Sequence, residues 1–116
     1  MVRLAMAALL LAACGSDSKP SGDSPGTATV QKVTCPATPN AEVTVAASGA
    51  AYMPSATSIT QGQVVRFTLP SAHDVTSTTA GLDVRFGQTS CLMFTSPGTY
   101  QFHCSVHGFQ GTVTVQ

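Results

Sequence analysis

Tryptophan is missing from this 116-residue chain, and charge is scarce: only 9% of the residues are Asp, Glu, Lys or Arg. Five basic residues offset five acidic ones, so the net charge is zero. A surface without excess positive charge cannot displace counterions from a polyanion, which excludes nucleic acid as a partner. No apolar run reaches the roughly 20 residues that a membrane-spanning helix needs. No stretch carries a convincing helical period, and no internal repeat is visible. The length leaves room for one domain. What remains is a chain with 43% hydrophobic residues, filled out with Thr, Ser, Gly and Val, a mixture that favours strands and turns.

The longest apolar run, the ten residues Leu4 to Ala13, follows one positive charge at Arg3 and ends where Cys14-Gly15-Ser16 turns polar. That layout is a signal-peptide h-region, not a span. Leu11-Ala12-Ala13-Cys14 resembles the lipobox of bacterial lipoproteins, which implies a signal peptide over 1–13 and a lipid-modified Cys14 at the mature N-terminus. Gly15 to Thr27 contains no large apolar residue and cannot repay the entropy of ordering. Residues 14–27 are therefore expected to be a lipidated Cys and a flexible tether, holding the domain of 28–116 roughly 20 Å from a bilayer by random-coil scaling. The expectation is an exported protein, lipid-anchored to a bacterial membrane and facing the periplasm or the cell exterior.

Beyond the tether, short alternating runs are separated by Gly, Pro and Asn, the pattern of an all-β sandwich. Val43 and Val45 share one face of a strand, and a weaker strand falls within 28–35. Val65, Phe67 and Leu69 point one way, with Val64, Arg66 and Thr68 the other. Leu82, Val84 and Phe86 alternate with Asp83 and Arg85, and a strand is expected there and from Ser90 to Phe94. After the turn at Ser96-Pro97-Gly98, Tyr100, Phe102 and Cys104 face inward and Gln101 and His103 outward. Val113 and Val115 point inward from the last strand. The reading is seven or eight strands in two sheets.

A hydrophobic core of this size is marginal without a staple or a metal, and the cysteines offer both. Cys104 precedes His107 by three residues in His103-Cys104-Ser105-Val106-His107, at the end of a strand whose inward face it occupies. A Cys and a His so spaced can turn toward one metal from a tight loop. With Cys14 assigned to lipid, Cys35 and Cys91 remain. In an oxidising compartment they either form a disulfide, stabilising by about 4 kcal/mol in the chain-entropy model, or stay as two buried thiols.

The segment SPGTYQFHCSVHGFQGTVTV, residues 96–115, resembles the C-terminal hairpin of the cupredoxins, the plastocyanin, amicyanin and pseudoazurin group. PSAHDVTS, residues 70–77, resembles the segment that carries that family's first His ligand. The resemblance covers roughly 43–116 and implies a Greek-key β-sandwich holding one type 1 copper ion. By position, His73 and His107 would be the imidazole ligands and Cys104 the thiolate. Two imidazoles, one thiolate and a weak axial donor make a blue-copper electron-transfer site. The axial position departs from the amicyanin pattern: three residues after His107, where Met would stand, is Gln110. A Gln oxygen is a recognised axial donor, as in stellacyanin; otherwise Gln110 faces solvent and the copper has three ligands or takes a backbone oxygen. Met93, the nearest Met in sequence, belongs to the preceding strand. Asp74, where plastocyanins have Asn, is placed to accept a hydrogen bond from the Ser105 hydroxyl or amide, or else is a solvated turn residue.

The function implied is a one-electron carrier, monomeric, meeting redox protein partners in transient contacts. Electrons would pass the edge of His107 inside an apolar patch of Val106, Gly108 and Phe109. A copper delivery or storage protein and a metal-free interaction domain are the alternatives. An enzyme is not expected. There is no His-x-His pair for a trinuclear copper cluster, and the hairpin has one Cys where a binuclear centre needs two.

Overall fold

Two sheets of extended chain, packed face to face, set where every candidate ligand can lie. The structure is a computed structural model that describes residues 29–116. The signal peptide of 1–13 and the tether of 14–27 with Cys14 lie outside the described residues. Eight strands follow in order: β1 (Val30–Val33), β2 (Ala41–Val45), β3 (Tyr52–Met53), β4 (Ala56–Ile59), β5 (Val64–Thr68), β6 (Thr89–Phe94), β7 (Gly98–His103) and β8 (Gln110–Val115). Among the described residues there is no helix. One sheet has the order β1-β6-β5-β2-β3 and the other β4-β8-β7. Most pairs are antiparallel, but β2 runs parallel to β5 and β4 parallel to β8, so both sheets are mixed.

The inward faces carry the alternation expected of half-buried strands. Val43, Val65, Phe67, Leu92 and Phe94 line the larger sheet, and Ile59, Phe102, Val113 and Val115 the smaller, all buried. Phe67 meets Phe102 edge-on at 5.5 Å between ring centroids, and Phe94 meets Tyr100 at 5.4 Å, which joins the sheets. On β8, opposite Phe102, only a glycine fits: a Cβ on Gly111 would lie 2.5 Å from the Phe102 ring.

Leu82 to Phe86 does not form a strand. Leu82 and Val84 are fully buried, as their alternation implies, but Phe86 is 46% exposed and Val84 makes only an isolated bridge to Val75. The segment lies between Gly81 and Gly87, both at positive φ, where side chains other than glycine are strained. Turned at both ends, it meets Val75 at a single bridge and forms no ladder.

Cys35 and Cys91 are joined in a disulfide, with Cα atoms 5.1 Å apart. The bond sits beside the ladder in which Val33 pairs with Cys91. It therefore pins β1, an edge strand with one neighbour, to the sheet interior.

Candidate metal centre

Two segments bring three donor side chains to one end of the sandwich. The first leaves β5 at Leu69 and turns at Pro70, whose carbonyl accepts the amides of His73 and Gly87. It is then clamped on both sides. Val75 exchanges two backbone hydrogen bonds with Val84, and Thr76 exchanges two with His103 at the end of β7, both of 2.9 Å. His73 is buried beneath these contacts. The second segment is the turn between β7 and β8. Cys104 donates its amide to the Phe109 carbonyl at 2.9 Å, and Gly108 donates to the Cys104 carbonyl at 2.8 Å. This closed turn aims the buried Cys104 inward and leaves His107 exposed to solvent.

Cys104 Sγ is 3.9 Å from His73 Nδ1 and 3.6 Å from His107 Nδ1, and the three donor atoms lie within 4.8 Å of one another. Metal–nitrogen and metal–sulfur bonds of roughly 2.0–2.3 Å, spread around a trigonal plane, put donor atoms about this far apart. The two imidazole rings are 4.6 Å apart at their centroids. Spacing and chemistry both fit a single soft or borderline metal ion.

Asp74 ties the two segments together. Its carboxylate accepts the Ser105 amide and the Ser105 hydroxyl, each at 2.8 Å, and the Thr76 hydroxyl at 3.3 Å. Burial pushes the Asp74 carboxyl up, but the hydrogen bonds from Ser105, Thr76 and Cys104 outweigh it and hold the group below the usual carboxylate range. Burial likewise pushes the Cys104 thiol up. The Asp74 and His107 amides, the His73 ring and the Val106 amide outweigh that and lower it, which favours the thiolate that binds metal.

A family model of the cupredoxin-like domain matches residues 4–115. The chain belongs to the cupredoxin-like family. Among solved structures, amicyanin from Paracoccus versutus superposes with a TM-score of 0.62 at 17% identity, over 78% of this chain and 100% of that one. The Cu(I) form of a methionine-to-alanine amicyanin variant gives 0.63 at 22%, over 76% and 99%. An oxidised methionine-to-lysine amicyanin variant gives 0.53 at 26%, over 65% and 80%. No curated protein sequence matches the chain.

In this cupredoxin the remaining candidates divide. Val106 is 67% exposed and Gly108 is exposed, whereas Phe109 is half-buried and packs against the core. Gln110 is not brought to the triad. It opens β8 in register with His103, and cross-strand partners share a sheet face. It therefore lies on the outer face with Gln101 and His103, lining a shallow cleft with them and with Ser77 and Thr78. Met93 lies on β6 between Gln31 and Val64, in the other sheet.

One residue at the centre went unread in the sequence. Tyr52 is buried on β3, donates its hydroxyl to the Asp74 carbonyl at 2.6 Å, and meets Phe102 and Phe109 edge-on at 4.8 and 4.7 Å. Burial first, then the Cys104 and Asp74 charges, push its hydroxyl far above the ordinary tyrosine value. A buried tyrosine needs a hydrogen-bond partner, but the partner is 22 residues away and no local spacing marks it.

Proposed function

We propose that the protein is a one-electron carrier, not an enzyme, that holds one copper ion between His73 Nδ1, Cys104 Sγ and His107 Nδ1. The observation that carries this reading is the convergence of two imidazole nitrogens and one buried thiol at trigonal spacing, the donor set of blue-copper centres. Copper bound there would supply a couple between Cu(I) and Cu(II).

The chain's part is to keep the donors still. The closed turn fixes Cys104 and His107, the paired backbone of Val75 and Thr76 fixes His73, and Asp74 bolts one to the other. Donors held in one arrangement for both oxidation states leave little reorganisation to accompany electron transfer. Burial of His73 and Cys104 excludes water, and the exposed His107 edge, beside Val106 and Gly108, is the route to redox protein partners. The Leu11-Ala12-Ala13-Cys14 motif supports a lipid anchor at Cys14 on a bacterial membrane; Cys14→Ala would then give unlipidated protein with unchanged copper binding.

The test is addition of Cu(II) to the purified domain. An intense visible thiolate-to-copper band that bleaches on one-electron reduction and returns on reoxidation is expected. A protein that binds copper without such a band, or keeps it through reduction, would not be this carrier.

A further inference from the structure

A weak fourth donor usually stands above the trigonal plane of a blue-copper site and tunes its potential. Among the described residues, none of the side chains that could serve is directed there by the contacts it makes. Gly108 has no side chain. Gln110, fixed by the register His103↔Gln110, turns to the outer face. The two methionines among the described residues are elsewhere. Met93 is in the five-stranded sheet, and Met53 is 54% exposed, on the opposite face of β3 from the buried Tyr52. Asp74 gives its carboxylate to Ser105 and Thr76.

The side chain that does reach the triad is Phe109. Its ring lies 5.5 Å from the His73 ring and 6.0 Å from the His107 ring, nearly parallel to the latter at 21°. Tyr52 backs it at 4.7 Å, and its own carbonyl accepts the Cys104 amide. Phe109 thus touches both imidazole donors and is fixed by the backbone of the third ligand.

The geometry points to a copper centre with three ligands only, in which the Phe109 ring fills the axial place and gives no electron pair. The inference rests on the copper reading above and says what kind of copper site it is. A phenyl ring has no lone pair to donate, and its bulk keeps water from supplying one. Cu(I) is satisfied by three ligands of this softness, whereas Cu(II) gains more from a fourth. The missing donor therefore favours the reduced ion and raises the reduction potential above that of the same site with Met or Gln at position 109.

X-ray absorption at the copper edge of the Cu(II)-loaded wild-type protein is the direct measurement. Two nitrogens and one sulfur with no fourth donor are expected; a fourth oxygen or sulfur, from Gln110, a backbone carbonyl or water, overturns the inference. Phe109→Met and Phe109→Gln should each shift the Cu(II)/Cu(I) affinity ratio toward Cu(II) by tenfold or more, a fall of about 60 mV per tenfold in a one-electron couple, and change the electron paramagnetic resonance spectrum. Gln110→Ala, a surface substitution, should leave potential and spectrum at wild-type values. A shift in Gln110→Ala with none at Phe109 would make Gln110 the axial ligand and overturn the inference. A wild type with no thiolate-to-copper band would overturn the carrier reading itself; a blue wild type with a fourth donor would overturn this one alone.

Discussion

The two segments that carry the imidazoles are built on opposite plans. The turn from Cys104 to Phe109 is held by its own backbone, through bonds that begin and end within six consecutive residues. Most of its side chains lie in solvent. The segment of His73 has no such internal frame beyond its turn at Pro70; Val84 and His103, from elsewhere in the chain, hold its backbone, and its histidine is buried. One ligand is placed by local geometry and the other by tertiary structure. A side chain placed locally can stand at the surface in reach of solvent, while one placed by the whole fold reports on whether the fold is intact.

Cys104→Ser attacks the point where the two plans meet and has the largest effect. The visible band should vanish and copper retention fall by orders of magnitude, while the circular dichroism of the β-sandwich is kept, because β7 and β8 pair through backbone groups. Absorbance and a copper-competition assay check both halves.

His107→Gly and His73→Gly break the comparison directly. Removal of the exposed imidazole opens a hole to solvent, so millimolar imidazole should restore the band in His107→Gly. Removal of the 7% exposed His73 leaves a hole covered by the fold, and the same imidazole should restore little. Equal rescue of the two variants would show that burial does not separate them.

The double variant Cys35→Ala/Cys91→Ala weakens the fold at a distance from the turn. It should lose about 4 kcal/mol in the chain-entropy model, seen as a lower denaturation midpoint, with the spectrum of the native copper site unchanged. Asp74→Ala has a smaller cost and uncouples the segments. Losing the hydrogen bonds that the Ser105 amide and hydroxyl give to a charged carboxylate should cost about 1.5–3 kcal/mol. Copper should also bind more weakly, because His73 and Cys104 lose their shared brace.

The same division explains what could be read in advance. Cys104 and His107 announce themselves by a three-residue spacing because their turn is local, and Val65, Phe67, Phe102, Val113 and Val115 show their faces by alternation alone. The strands at Tyr52 and Ala56 gave no such signal: one has two residues, and the other is completed by a parallel partner in β8. Alternation misled at Leu82 to Phe86, where burial alternates as far as Val84 but two left-handed glycines stop the ladder. Counting three residues past His107 names Gln110, but counting does not fix a face. The β7–β8 register does, and it turns Gln110 outward.

That register has a bearing on when the protein can come into being. β8, the last strand in chain order, is the middle strand of its sheet, with β4 on one side and β7 on the other. Until its residues are available, β4 and β7 have no common neighbour and the turn that holds Cys104 and His107 has no second strand to close on. A growing chain can gather the larger sheet early, since all of its strands precede β7. The end of the sandwich that gathers His73, Cys104 and His107 must wait for β8, so the vectorial order of synthesis keeps the thiol from meeting both imidazoles in a partial chain that lacks that strand.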